Sequence, residues 1–91
     1  MLVHCVSIYP PKYERLNLGA IPKMRQHFEV TVGLSDHTPE IFSAIAAVPY
    51  GVSLIEKHYT LDRQTVGTSD HKVSLESHEF KILVNGVRKI E

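Results

Sequence analysis

The sequence predicts an α/β fold of three strand–helix units in the order βαβαβα, with all three strands parallel. Short apolar runs of strand length alternate with longer segments whose apolar residues recur at helical spacing. Proline and glycine residues separate these segments, among them Pro10, Pro11, Pro49 and Gly51. Strands that alternate with helices in this way pair in parallel through right-handed crossovers, either in a barrel or in a doubly wound sheet.

The first unit is a strand predicted from Leu2 to Ser7, followed by a helix. Pro10 and Pro11 close the strand, because proline cannot donate a ladder hydrogen bond. Pro22 is tolerated only in the first turn of a helix, so the helix is expected to start near Ala20. Its apolar face consists of residues at helical spacing: Ile21, Met24 and Phe28.

The second unit is a strand predicted from Val30 to Ser35 and a helix that follows at once. Gly33 inside the strand indicates that another backbone approaches closely there. Thr38 is a good N-cap residue with Pro39 at the first helical position, so we expect the second helix to begin there. Pro49 and Gly51 would end it.

The third unit is a strand predicted from Ser53 to Tyr59, a long polar loop, and a helix capped by Ser77 that runs to Ile90. Three parallel strands alone leave two sheet edges unpaired and one face uncovered. The sequence therefore indicates a piece of a larger fold.

Composition narrows the class of partner. The 91 residues include ten Lys plus Arg and ten Asp plus Glu, so no positive field attracts nucleic acid or an anionic membrane. The balanced charge fits a small-molecule partner better than a nucleic acid or a membrane. No apolar run is long enough to span a membrane, and the segment from Met1 to Ser7 lacks the pattern of a signal peptide. Together with the single cysteine, Cys5, these features predict a soluble cytoplasmic protein.

Polar residues stand at the carboxyl end of every predicted strand, which is where parallel α/β folds place their active sites. Side chains two residues apart on a strand share a face. The strand ends supply three such pairs: Ser7 and Tyr9, Ser35 and His37, and Glu56 and His58.

The two strand-end histidines suit a divalent transition metal with open positions for substrate and water. Glu56 is placed to orient or deprotonate a bound water. The alternative is that His37 and His58 are ordinary hydrogen-bonded residues at loop edges. Asp70 lies in a Gly-Thr-Ser-Asp-His loop that could fold over the strand ends and hold sugar hydroxyls, or could simply be solvated.

Other polar residues have structural interpretations. His4 and Cys5 are expected in the core. Lys57 should point to the opposite face of its strand, where its ammonium group would reach a carboxylate. Asp36 should brace the turn into the second helix. Two histidines are expected on helix surfaces, His27 and His78.

Five stretches resemble successive signatures of N-acetylneuraminate synthases, the sialic acid synthase family. They run in the family's order and are distributed across nearly the whole chain: His4 to Pro10, Asn17 to Pro22, Gly33 to Thr38, Ile55 to Asp62 and Ser69 to Glu76. The resemblance implies that residues 1–91 are a partial TIM-barrel domain, the last three βα units of a (β/α)8 barrel. It also implies that the first five strands and the family's C-terminal antifreeze-like domain lie outside these residues, and that the full-length protein is a homodimer.

The resemblance also implies a reaction. Enzymes of this family condense phosphoenolpyruvate with an N-acyl-mannosamine-type sugar to a nonulosonic acid, using a divalent metal, manganese or magnesium. By this resemblance His37 and His58 bind the metal and Glu56 is an acid or base beside it. The remaining site residues divide between the substrates, with Ser7 and Ser35 by phosphoenolpyruvate and Tyr9 and Asp70 by the sugar.

Two other functions remain open at this point. One is a non-catalytic βα module, truncated and acting through a partner chain. The other is a metal-dependent barrel hydrolase, which also gathers histidines at strand ends. Such hydrolases usually carry a His-x-His pair on an early strand, and no strand here supplies one.

Overall fold

A computed structural model describes all 91 residues, Met1–Glu91. Its main elements are, in chain order, β1 (Leu2–Cys5), α1 (Ala20–Phe28), β2 (Val32–Asp36), α2 (Phe42–Ala47), β3 (Ile55–Lys57) and α3 (Ser77–Ile90). Short 3-10 turns lie between them at Tyr13–Arg15, Val48–Tyr50 and Ser69–Val73. The predicted βαβαβα order is confirmed.

The three strands form one sheet in the order β1-β2-β3, and both pairs are parallel. This confirms the predicted parallel direction of the strands. The register places Cys5 beside Ser35 and Ser35 beside Glu56, so these three residues form one row across the sheet. Asp36 lies beside Lys57 in the next row, and because strand side chains alternate, that pair points to the opposite face.

The helices cover one face of the sheet, which we call the outer face. There the α1 residue Ile21 packs with Val32 and Leu34 of β2 and with Ala47 of α2, and all four are buried. A second cluster joins α2 to α3 through Ala44, Leu75 and Leu83. Burial of a side chain the size of Ile21 contributes about 1.5–3 kcal/mol, so these contacts hold the helices on this face.

The strands differ from the predicted ranges. We expected Leu2 to Ser7, Val30 to Ser35 and Ser53 to Tyr59, whereas β1 ends at Cys5, β2 covers Val32–Asp36 and β3 is only Ile55–Lys57. The chain around β3 is nevertheless hydrogen-bonded over a longer range: the Ser53 amide donates to the Val32 carbonyl at 2.9 Å. At the other end Tyr59 bridges to Leu75 instead of β2, and this change of partner ends the strand.

The start of α2 was predicted wrongly. The helix begins at Phe42, with Ile41 at the N-cap, and Thr38 lies outside it. The Thr38 side chain is buried and donates to Asp36 Oδ1 at 2.8 Å, so it is not available to cap a helix. The chain bends from Thr38 to Ile41 before the first helical turn forms.

The cap of α3 also differs from the prediction. Ser77 is the first helical residue, and the N-cap is Glu76. Glu76 and Glu79 form a reciprocal capping box, in which the Glu76 amide donates to Glu79 Oε1 at 3.0 Å. The start of α1 at Ala20 agrees with the prediction from Pro22.

The inner face of the sheet carries no helix. On this face Val3 is 44% exposed, and Glu56 is exposed as well. β1 and β3 each have a partner on one side only.

None of the helices has the length and apolar character needed to cross a membrane.

Candidate active site at the strand ends

Two histidine rings meet at the carboxyl end of the sheet. His37 directly follows β2 and His58 directly follows β3, and the centroids of their rings lie 5.1 Å apart with an angle of 63° between the planes. His37 is 5% exposed and His58 is half-buried. The structure thus brings together the two residues that the sequence analysis selected as metal ligands.

Tyr9, from the loop after β1, packs against both imidazoles. Its ring stacks on His37 at a centroid distance of 4.1 Å and 27°, and meets His58 edge-on at 5.8 Å and 89°. Stacked and edge-to-face contacts at these distances are favourable ring arrangements. All three strand ends therefore contribute a ring to one cluster.

The hydrogen bonds of His37 define which of its nitrogens is free. Nδ1 lies 3.2 Å from the carbonyl oxygen of Val6. A carbonyl oxygen can only accept, so Nδ1 carries the proton and Nε2 of the neutral ring keeps its lone pair. A backbone carbonyl in this role is typical of metal-ligating histidines.

The donor set fits a divalent metal ion. The His58 ring nitrogens take part in none of the chain's hydrogen bonds, and His37 offers Nε2. Two imidazole nitrogens leave several coordination positions for water or substrate oxygens. Imidazole nitrogens suit first-row transition ions, whereas Mg²⁺ and Mn²⁺ prefer carboxylate, carbonyl and water oxygens, which would fill the remaining coordination positions.

Ser35 and Glu56 lie two residues before His37 and His58, on the same face of the sheet. The Ser35 hydroxyl donates to Glu56 Oε1 at 2.6 Å. The bond orients the carboxylate, and Oε2 makes no hydrogen bond within the chain, so Glu56 has an oxygen available for a proton or a water molecule.

Cys5 completes this row, and here the sequence interpretation was wrong. We expected Cys5 in the core, but it is exposed on the inner face, with Sγ 3.6 Å from His37 Nδ1 and 3.6 Å from the hydroxyl of Ser7. Cys5 stands two residues before Ser7, so the same alternation that selected Ser7 and Tyr9 could have found it. His4 points the other way and is hydrogen-bonded through Nε2 to the Leu16 carbonyl at 2.7 Å.

Asp70 lies apart from the cluster. It is exposed in the 3-10 turn Ser69–Val73, and its carboxylate makes no hydrogen bond within the chain. No hydrogen bond or ring contact joins it to the two imidazoles. The neighbouring His71 is engaged through Nδ1 with the Thr60 hydroxyl at 3.0 Å.

Lys57 and Asp36 form a buried ion pair on the outer face, with Nζ and Oδ2 3.0 Å apart. Burial lowers the pKa of Lys57, and the charge of Asp36 opposes that shift. Asp36 also accepts from the Thr38 amide at 2.9 Å. Both structural interpretations, a lysine reaching a carboxylate and an aspartate bracing the turn, are confirmed.

The two histidines expected on helix surfaces, His27 and His78, are exposed.

Another group of potential ligands lies at the start of α3, where atoms of Glu76, His78 and Glu79 fall within 4.8 Å of one another. Its carboxylates already have partners. Glu76 and Glu79 form the capping box, and Arg63 pairs with Glu79 and donates its amide to Glu76 at 2.9 Å. These contacts stabilise the start of α3 and account for the closeness of the carboxylates without a bound metal ion.

Comparison with known proteins identifies the family. The model of the NeuB family matches residues 1–91, the whole chain. The chain belongs to the NeuB family. This confirms the resemblance to sialic acid synthases that the sequence motifs indicated.

Named relatives and solved structures of the NeuB family agree with the match. The chain is 43% identical over 90 residues to the N,N'-diacetyllegionaminic acid synthase of Campylobacter jejuni, covering 99% of this chain and 27% of that protein. The N-acetylneuraminic acid synthetase of Leptospira borgpetersenii, solved with citrate, superimposes with a TM-score of 0.91 at 39% identity, over 98% of this chain and 31% of the other. The spore coat polysaccharide biosynthesis protein SpsE of Bacillus subtilis gives 0.86 and 42%, over 96% and 25%.

Two of these relatives are named as synthases of N,N'-diacetyllegionaminic acid and of N-acetylneuraminic (sialic) acid, and the third as a spore coat polysaccharide biosynthesis protein. The chain spans about a quarter to a third of the length of each.

Proposed function

We propose that these residues are the last three βα units of a TIM-barrel synthase, which condenses phosphoenolpyruvate with an N-acyl-mannosamine-type sugar to a nonulosonic acid. One observation carries the proposal: in a chain of the NeuB family, the ends of three parallel strands bring His37 and His58 to 5.1 Å with Tyr9 packed on both. A site at this end of a parallel sheet is where barrel enzymes perform their chemistry.

The surfaces of the chain support the barrel position. The strands are parallel and sequential, the helices lie on one face, and both edges of the sheet are unpaired. An apolar groove also runs between the β3 edge and α3, lined by Leu54, Val84, Val87 and Ile90. In a closed barrel, neighbouring strands and helices would cover the two edges and this groove.

The proposed metal site consists of His37 and His58, which would hold a manganese or magnesium ion through neutral nitrogens. The ion, when bound, polarises the aldehyde of the open-chain sugar. The chain's own contribution is to present Nε2 of His37 in a fixed orientation, because Nδ1 donates to the Val6 carbonyl. Tyr9 restricts both rings from the side and would lie next to the sugar.

The overall reaction joins C3 of phosphoenolpyruvate to the aldehyde carbon, while the aldehyde oxygen takes up a proton and becomes a hydroxyl. Water adds at C2, C–O cleavage releases phosphate, and C2 becomes the ketone of the product. Glu56 would move a proton in these steps, because Ser35 occupies one carboxylate oxygen and leaves the other free. Ser7 would hydrogen-bond phosphoenolpyruvate, Ser35 would lie beside it with its hydroxyl donating to Glu56, and Asp70 would bind sugar hydroxyls.

The strand-end cluster lacks a cationic group for the phosphate of phosphoenolpyruvate. Phosphoenolpyruvate carries several negative charges, and phosphate sites use arginine, lysine or helix N-termini. The basic residue nearest in sequence to the imidazoles, Lys57, is buried on the outer face in its pair with Asp36. We infer that the groups that bind phosphate come from other parts of the barrel.

A chimeric synthase tests the proposal. Residues 1–91 would replace the matching segment of the Leptospira synthetase, and turnover would be assayed with phosphoenolpyruvate and a panel of N-acyl-mannosamine-type sugars. We expect nonulosonic acid, and its loss in the His37→Ala, His58→Ala and Glu56→Gln variants. His27→Ala, on the surface of α1, is the matched control and should retain activity. A folded chimera in which the His37→Ala variant turns over normally would refute the proposed site.

A further inference from the structure

The buried ion pair between Asp36 and Lys57 lies directly behind the two imidazoles. Asp36 immediately precedes His37 and Lys57 immediately precedes His58, and the two are register partners in the parallel sheet. Because strand side chains alternate, the ions occupy the outer face while the rings occupy the inner face. The side chains of Lys57 and Asp36 are 0% and 1% exposed.

The Lys57 ammonium contacts the chain on both sides of His37. It donates to Asp36 Oδ2 at 3.0 Å, one residue before the histidine, and to the backbone carbonyl of Thr38, one residue after it. A single side chain from the His58 strand therefore fixes the backbone that carries the His37 ring.

Asp36 fixes the same segment from within its own strand. Its Oδ1 accepts from the Thr38 amide at 2.9 Å and from the Thr38 hydroxyl at 2.8 Å. The Thr38 hydroxyl oxygen lies 2.8 Å from that of Ser43, in the first turn of α2. The contacts thus continue from β3 through the His37 segment into α2, and none of the buried side-chain polar atoms lacks a partner.

Stability alone does not explain a pair of this kind. Desolvating two charges costs about as much as their attraction returns, and apolar replacements of equal volume are often neutral or stabilising. The pair instead holds two strand ends together, and the residues that follow Asp36 and Lys57 are His37 and His58.

We propose that Asp36 and Lys57 are positioning residues, which hold the His37 ring so that Nδ1 stays on the Val6 carbonyl and Nε2 faces the His58 ring side of the site. The proposal rests on the proposed function for one point only, the metal ion that Nε2 of His37 would bind. The orientation itself is a property of the metal-free chain.

The first test reads the orientation without metal. In the 91-residue chain, ¹⁵N chemical shifts of the His37 ring report which nitrogen carries the proton. We expect a single Nδ1–H form in the parent chain and a mixture of both tautomers in the double variant Asp36→Leu/Lys57→Met, which replaces the charges with apolar side chains. Asp36→Asn is a milder second variant that keeps the acceptor for Thr38, and it should show the same change to a smaller extent if the double variant does not fold.

The matched control is Leu83→Ala, which weakens the packing of α3 without touching the His37 segment. It should lower the Tm and leave the His37 tautomer unchanged, which separates positioning from a general loss of stability. A folded double variant that keeps the single Nδ1–H form would overturn the proposal, as would an equal tautomer change in Leu83→Ala.

A second measurement, Mn²⁺ binding followed by the electron paramagnetic resonance of the free ion, distinguishes this proposal from the proposed function. Loss of a residue that orients a metal ligand typically weakens binding by about 10–100-fold, and we expect that range for the double variant. If His37→Ala abolishes binding while the folded double variant binds as tightly as the parent chain, the positioning proposal fails and the metal site stands. If the parent chain binds no Mn²⁺, the metal site fails, and the tautomer result alone decides the positioning proposal.

Discussion

The rings of His37 and His58 lie 5.1 Å apart because each follows a register partner in adjacent parallel strands. Neighbouring strands are about 4.8 Å apart, so two residues at equal height on the same face meet at nearly that distance. The sheet therefore sets the separation of the two imidazoles, and by our proposal the contacts of Asp36, Thr38 and Lys57 set the orientation of the His37 ring.

The 91-residue chain by itself should show no synthase activity. The strand-end cluster contains no cation for the phosphate of phosphoenolpyruvate, and the inner face of the sheet is open to water. Purified chain incubated with Mn²⁺, phosphoenolpyruvate and N-acetylmannosamine should give no nonulosonic acid by mass spectrometry. The chimeric synthase is the positive control, and product from the isolated chain above a no-protein blank would contradict this account.

Gly33→Ala should destabilise the chain. A Cβ at Gly33 would lie 2.9 Å from the Leu54 carbonyl oxygen and 3.1 Å from Leu54 Cβ, so β2 and the Leu54 backbone would have to move apart. Overpacking of this kind costs about 1–3 kcal/mol. Gly19→Ala is the control, because a Cβ there meets nothing within 4 Å and Gly19, at the N-cap of α1, has a right-handed backbone conformation that alanine also adopts. Urea unfolding of both variants measures the difference, and equal midpoints would show that the close approach is unimportant.

Glu79→Gln should reduce stability at neutral pH but have less effect in acid. The hydrogen bond from Arg63 lowers the pKa of Glu79, so its contribution is complete above the pKa of an unfolded glutamate, about 4.3, and is lost as pH falls through the lower folded value. Gln still accepts from the Glu76 amide, so the capping box remains. Thermal unfolding at pH 7 and pH 3 should show a Tm difference that shrinks at pH 3. The exposed Glu14→Gln change, outside any ion pair, is the control; a constant difference for Glu79→Gln would exclude the pairing effect.

Cys5 should react readily with a maleimide in the folded chain. It is the single thiol and it is exposed on the inner face, 3.6 Å from His37 Nδ1. The adduct would crowd the imidazoles and should weaken Mn²⁺ binding, whereas Cys5→Ser should not. In the chimeric synthase, where the other strands would cover the inner face, the same thiol should react more slowly. Equal rates in both proteins would argue against the barrel position.

The element types could be predicted from the sequence, because apolar spacing and proline positions are local signals. Pro22 fixed the start of α1, for example, since proline fits only in a first helical turn. The start of α2 could not be found in this way. Threonine is common at helix N-caps, but the Thr38 hydroxyl donates to Asp36 and the Thr38 carbonyl accepts from Lys57. Because Lys57 is distant in sequence, local patterns do not reveal this contact.

The candidate site was predicted in part for a similar reason. Alternation along each strand placed Ser35, His37, Glu56 and His58 on one face, and the structure brings them together there. Alternation does not say which face of a parallel strand is the functional one, because in such folds both faces are normally buried. Cys5 was assigned to the core because free cysteine is among the most buried residue types, although its alternation with Ser7 places it on the face of the site.

Mn²⁺ binding to the 91-residue chain and three histidine variants tests the central claim most directly. The free-ion resonance should show one bound ion in the parent chain, unchanged binding in His27→Ala, and binding at least about 10-fold weaker in both His37→Ala and His58→Ala, since each would supply one of two protein nitrogens. Equal binding by all four proteins, or no binding by the parent chain, would contradict the assignment of His37 and His58 as a metal site.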